Sequence, residues 1–296
     1  MNRIELDAFV EHHALSPPAA RAALDLARAR PTADELAEFV VRVLLLAGVL
    51  SVAFGVVFFV AANWDALAVF GRFALIQAAL VACVAVALWR PPPHGLGRNA
   101  ALMAFILAGV LLALFGQTYQ TGADTYELFL GWAVLGLPFA AAAQWSVACG
   151  AWLVVLDVAL LLFCGWRPET GWLWVVFAGW RGLHPAAMLL VPTVPNLLVW
   201  LASERLEGTR LAHLAPRWLG RLALAFAVGF ATWSGALAIF DGGAGVAGSR
   251  ATSLGLVVAL LAGIAAYAAK TRRDVFPLAA VAASAILLVT FALVDK

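Results

Sequence analysis

Runs of about 20 predominantly apolar residues recur along this chain, and about 20 is the helix length that crosses a hydrocarbon core of about 30 Å at about 1.5 Å per residue. We place them at residues 40–62, 69–89, 99–116, 126–143, 145–166, 184–203, 218–240, 251–270 and 275–294, about nine spans in all. Inside a bilayer no water is present to satisfy backbone N–H and C=O groups, so each run must be a helix that bonds to itself. The fold class is therefore all-α, a polytopic transmembrane helical bundle. Composition agrees, because 64% of the 296 residues are hydrophobic and 12% charged, with a mean hydropathy of +0.95. A soluble globular chain is about half apolar and about a quarter charged. The segment GWLWVVFAGW, Gly171–Trp180, is too short to cross and rich in tryptophan, so we lay it along the interface; a pair of re-entrant halves is the competing path for residues 167–183.

Residues 1–38 are of a different kind. They are charged and amphipathic, with no continuous apolar stretch of the sort a signal peptide carries. Ile4, Leu6, Phe9 and Val10 form one apolar stripe. Ser16-Pro17-Pro18 starts a second helix, Pro31 breaks it, and Thr32-Ala33-Asp34-Glu35 is a capping box for a third that runs into the first span. The domain division is thus 1–38, a small cytosolic helical module, and 39–296, the transmembrane domain. Four arginines against seven acids give the module a net charge of −3, which argues against nucleic acid or anionic lipid as its partner.

Orientation follows from the basic residues. With the N-terminus inside, 14 of the 19 Lys and Arg fall on the cytoplasmic side and five outside, the positive-inside bias of an N-in, C-out protein. Arg42 is expected to pair with Glu38 one turn back or to snorkel. Arg205, Arg210, Arg217 and Arg221 are expected to meet anionic lipid headgroups. Chain end Lys296 follows the last span almost at once, which leaves a C-terminal continuation open.

One polar stretch interrupts this apolar background. Phe115–Trp132 reads FGQTYQTGADTYELFLGW and holds two of the three tyrosines. In one reading its aromatic residues anchor at the interface while Asp124 caps the next helix. In the other, Gln117, Tyr119, Gln120, Asp124, Tyr126 and Glu127, joined by Trp64, Asp65 and Arg72, line an outward-facing cup for a polar group. Amide, phenol and carboxylate groups over aromatic rings suit a sugar or a headgroup better than a bare ion. Arg72 could tie back to Glu127 or Asp124, or hold a phosphate or carboxylate as a fork.

A second constellation lies deeper. Counted from the outer ends of their runs, Gln77, Asp157, Thr193 and Asn196 sit about 12, 13, 13 and 18 Å down, a single midmembrane polar layer. Pro192 and Pro195 in VPTVPN should kink that helix and free backbone carbonyls. An intramembrane acid beside a kinked helix is a pattern of transporter sites. The alternative for Asp157 is a neutral acid tying two helices together, and for Gln77 and Asn196 an amide link between helices.

The helical N-terminal module, the Asn63-Trp64-Asp65 turn followed by Arg72-Phe73, and Gly116–Asp124 with Tyr126 and Trp132 resemble the family of bacterial predicted membrane proteins called domain of unknown function 2157. The resemblance covers roughly residues 1–140. It implies a bacterial inner-membrane protein found with other envelope proteins, and it carries over no catalytic residue.

Transport or gated binding of a polar or lipid-linked envelope substrate, entering at the cup and passing the Asp157 layer, is the leading expectation. A non-transporting scaffold or sensor subunit with a periplasmic partner is the alternative, and an intramembrane transferase the third. Enzyme chemistry has little support: HExxH, GxSxG and phosphate-cradling glycine loops are missing, and the five histidines are scattered. Cys83, Cys149 and Cys164 lie in apolar runs without CxxC spacing and read as small core residues. Neither a metal site nor a cofactor is expected; the partners expected are membrane lipid and a possible protein of the envelope.

Overall fold

The computed structural model describes residues 12–13, 16–19, 22, 33–63, 66–120, 122, 124–166, 185–209, 211–240, 247–271 and 274–294. Among them no strand occurs, and nine segments are long and apolar enough to cross a membrane. They are α1 (Ala33–Ala62), α2 (Val69–Trp89), α3 (Gly95–Tyr119), α4 (Thr125–Ala142), α5 (Ser146–Trp166), α6 (Thr193–Leu206), α7 (Arg217–Phe240), α8 (Ala247–Thr271) and α9 (Val275–Val294). The sixth span counts α6 together with the helical turn Pro185–Met188 that precedes it. The expected helices before Ala33, the Trp-rich segment 171–180, and Trp64 and Asp65 lie outside the described residues.

The chain divides into two compact units, Met1–Gly55 and Val56–Lys296. In the first, α1 begins with Asp34 and Glu35 in its opening turn, where their charge complements the helix dipole. Glu38 and Arg42 form the expected ion pair one turn apart. Leu36, Phe39, Val41, Leu44, Val52 and Phe54 all stay exposed, an apolar surface around the helix that a bilayer solvates and water does not. The expected boundary at 38/39 falls inside this unbroken helix.

The second unit is built by neighbours in sequence. α2 packs on α3, α3 on α4 and α4 on α5, while α6 packs on α7 and α7 on both α8 and α9. Hydrophobicity does not drive helices together in a lipid-like medium, so close packing and internal hydrogen bonds must. Glycines provide the first. The ring of Trp132 fills the space a Cβ on Gly109 would need, and Phe105 does the same at Gly136, so α3 and α4 interlock in both directions. Ser203 presses on Gly220 between α6 and α7, and Leu288 on Gly235 between α7 and α9. The second comes from side chains that donate across interfaces: Trp132 Nε1 to the Phe105 carbonyl at 2.8 Å, Trp152 Nε1 to the Ala133 carbonyl at 2.8 Å, and Thr232 and Ser284 hydroxyls to each other at 2.6 Å.

Two helix groups, α2–α5 and α6–α9, meet along α5. Tyr126, Phe163, Cys164, Met188 and Leu189 form one buried cluster that joins α4 and α5 to the turn before α6. On the other side of the meeting line, Trp200, Leu224, Val228, Val257, Leu261 and Ile264 make the core of α6, α7 and α8. Two departures from expectation shape the sites. First, α3 continues through Gly116-Gln117-Thr118-Tyr119 and α4 begins at Thr125, so most of the polar stretch is helix. Nothing in GQTY forbids helix; the stop is Gln120, left-handed at φ 43°, followed by Gly122 at φ 66°. Second, span six is interrupted, with i→i−3 bonds at Leu189, Leu190, Val191, Thr193 and Val194, because Pro192 and Pro195 supply no N–H to a regular ladder.

Candidate functional site

The ends of α3 and α4 enclose an open cleft of about 540 Å³. Gln117 reaches it from α3, Gln120 from that helix's C-cap, Asp124 from the link and Glu127 from the first turn of α4, over a floor of Leu112, Phe115 and Leu128. Asp124 occupies the N-cap position with extended backbone, yet its side chain makes no cap bond; its backbone carbonyl takes the Glu127 N–H at 2.9 Å. The carboxylate is left facing the cleft. The expected capping role for that side chain is thus not the one it plays.

The other residues expected in the cup are distributed differently. Tyr119 is 55% exposed and stacks beside Phe115 and Phe73, with ring centroids at 4.8 and 6.1 Å, forming an aromatic ledge next to the cleft. Tyr126 is only 2% exposed and points the opposite way, edge-on to Phe163, while its hydroxyl reaches Glu127 Oε1 at 3.3 Å. It steadies a lining residue from behind. Arg72 donates Nε–H to the Leu67 carbonyl at 3.0 Å, holding the loop before α2 in place. Sequence reasoning missed the apolar lining. The signal was present, since 112, 116 and 120 and also 113 and 117 are spaced by one helical turn, so extending α3 backward from its polar end would have named them.

The deeper constellation is partly assembled. Asn196 Nδ2 donates to Asp157 Oδ1 at 2.6 Å and to the Pro192 carbonyl at 2.9 Å, tying α6 to α5. Asp157 is 4% exposed and Asn196 0%. Thr193, also buried and one turn earlier, turns its hydroxyl to the Leu190 carbonyl at 2.5 Å. Gln77 does not join them: its side chain is exposed on α2, whose packing partner is α3. Equal depth along the membrane normal says nothing about azimuth around a helix, and that is where the layer separates. Asp157 and Asn196 are not among the residues lining the cleft.

Of the basic run, Arg217 pairs with Glu207 at 2.5 Å, and Arg221 pairs with Asp274 at 3.4 Å while covering the Phe276 ring. Arg210 lies outside the described residues. No group of three or more His, Cys, Asp or Glu that could hold a metal ion occurs among the described residues.

An all-helical bundle with nine candidate spans, internally hydrogen-bonded and apolar on its outside, defines a multi-pass membrane protein. Residues 7–149 match the model of the family described as predicted membrane protein, DUF2157. The match takes in α1 to α4 and the whole cleft and ends near the start of α5, before Asp157. No curated protein and no solved structure matches the chain.

Proposed function

We propose that this chain binds a polar or lipid-linked envelope substrate at the α3–α4 cleft and gates or transports it, from the outer face of a bacterial inner membrane. The observation that carries the reading is the cleft's chemistry: two carboxylates and two amides above an apolar floor in about 540 Å³. Asp124 and Glu127 make the lining acceptor-rich, so an ammonium or a row of hydroxyls suits it better than a phosphate. An acyl chain fits the Leu112, Phe115 and Leu128 floor. An outward-facing cleft follows if the chain runs N-in, a reading supported by the 14-to-five distribution of basic residues.

The test uses the full chain in nanodiscs, titrated with an amine-headgroup lipid, a neutral glycolipid and phosphatidylglycerol. Saturable binding of the first or second, weakened about tenfold or more by Asp124→Asn with Glu127→Gln, is expected, since each lost charge-assisted bond is worth about 1.5 kcal/mol or more. Equal partitioning of all three lipids into wild type and variant would sink the proposal. Orientation is checked by labelling Gln117→Cys in intact cells with a membrane-impermeant maleimide. A scaffold or sensor role is the second reading, favoured by the exposed Phe115–Tyr119 ledge beside half-buried Phe73. A photocrosslinker at Tyr119 that captures one defined envelope protein, with no lipid selectivity at the cleft, would put it first.

A further inference from the structure

We propose that Asp157 is a proton-binding site, and that its acid–amide pair with Asn196 is a proton-dependent clasp between α5 and α6. The proposal stands independently of whatever the cleft binds. Both N–H groups of the Asn196 amide are committed, one to Asp157 Oδ1 at 2.6 Å and one to the Pro192 carbonyl at 2.9 Å. Rotating the amide by half a turn would aim its oxygen at two acceptors, so those bonds fix its orientation. Two atoms are then left over: Asp157 Oδ2 and Asn196 Oδ1 are buried and have no hydrogen-bond partner. Both are acceptors when Asp157 is ionised, and two unpaired acceptors shut away from water are costly.

A single proton on Oδ2 resolves both. It turns one orphan into a donor, and the acceptor offered by the same amide is the other orphan. The acid and the amide then pair face to face through two hydrogen bonds, Nδ2–H to Oδ1 and Oδ2–H to the amide oxygen. A metal cation answers the same atoms less well. A hard cation takes about six oxygens, whereas the Pro192 carbonyl is already bound to Asn196 and the Thr193 hydroxyl to Leu190. Charged neighbours do not supply the compensation either. Among the described residues the elements packed here bring Glu127 and Tyr126 on α4, Cys149 and Cys164 on α5, Glu204 and Arg205 on α6, Arg217 and Arg221 on α7, and Tyr267 and Lys270 on α8. None of these forms a bond with Asp157, whose interaction is with Asn196. When the proton leaves, Oδ2 becomes an acceptor facing an acceptor, and the pair opens where two helix groups meet and where Pro192 and Pro195 already interrupt the helix.

Infrared spectroscopy of the full-length protein in lipid vesicles tests this, with isotope-labelled aspartate to isolate the signal. A protonated-carboxyl C=O band at neutral pH, abolished by Asp157→Asn and moved toward the frequency of a free acid by Asn196→Ala, is the expected result. A carboxylate band at neutral pH, or one that shifts when sodium or potassium is added, overturns the proposal. Should Asp157→Asn fail to accumulate, the Asn196→Ala band shift decides alone: its absence counts against the clasp.

Discussion

Asp124 with Gln120 at the cleft, and Asp157 with Asn196 at the α5–α6 seam, are the same two side-chain chemistries in opposite solvents. At the cleft the carboxylate is half-buried and its bonds are left open; at the seam acid and amide are bonded at 2.6 Å with almost no exposed surface. A free acceptor that water can reach costs little, so the cleft can keep its groups for a ligand. A free acceptor away from water costs about 1–3 kcal/mol, so the seam must spend its groups on structure or hold a proton. Burial, more than residue type, separates a binding surface from a clasp. The family match follows the same division, covering the cleft and stopping short of Asp157.

The sharpest way to break the comparison is to remove one side of it. Gly109→Val puts methyl groups where Trp132 ring atoms lie 2.3 Å from the ideal Cβ, forcing apart the two helices that wall the cleft. We expect about 3 kcal/mol or more of destabilisation, read as a lower Tm in detergent, at the upper end of overpacking costs. Headgroup binding should be lost while the Asp157 infrared band survives. Asn196→Ala attacks the other side: it should cost about 1–3 kcal/mol, because a buried carboxyl loses its partner, and leave cleft affinity within about twofold. Trp152→Phe removes the indole bond to the Ala133 carbonyl, and a loss of about 1 kcal/mol measured by thermal unfolding is expected. Smallest in stability is the double change Asp124→Asn with Glu127→Gln, within about 0.5 kcal/mol of wild type because both side chains keep access to water. If that pair destabilises the protein as much as Asn196→Ala does, the contrast between cleft and seam fails.

Apolar run length alone placed the spans well. The runs at 69–89 and 275–294 coincide with α2 and α9, since a long apolar segment has one self-satisfying conformation and its ends fall where polarity returns. Prolines 192 and 195 marked span six for a kink, and the structure goes further and interrupts it. The Arg42 pair with Glu38 was equally legible, because an i,i+4 pair depends on helical spacing and nothing else. The polar stretch was visible as a unit, but its internal division was not: which residues face the cleft depends on where α3 stops, and a left-handed Gln120 is set by the local path of the chain, not by residue preference.

What the sequence by itself determined about this protein is therefore one-dimensional: which segments are helices, where polar residues fall along each of them, and which residues share a turn. The tertiary structure alone decided rotation. It turned Tyr126 into the core and Glu127 one residue later into the cleft, left Gln77 on an outer surface, and brought Asn196 onto Asp157 across 39 residues of chain. Rotation is fixed by packing at glycines such as Gly109 and Gly136, where a neighbour's ring enters a space only as wide as a missing Cβ. Sequence periodicity carries no record of which neighbour that will be.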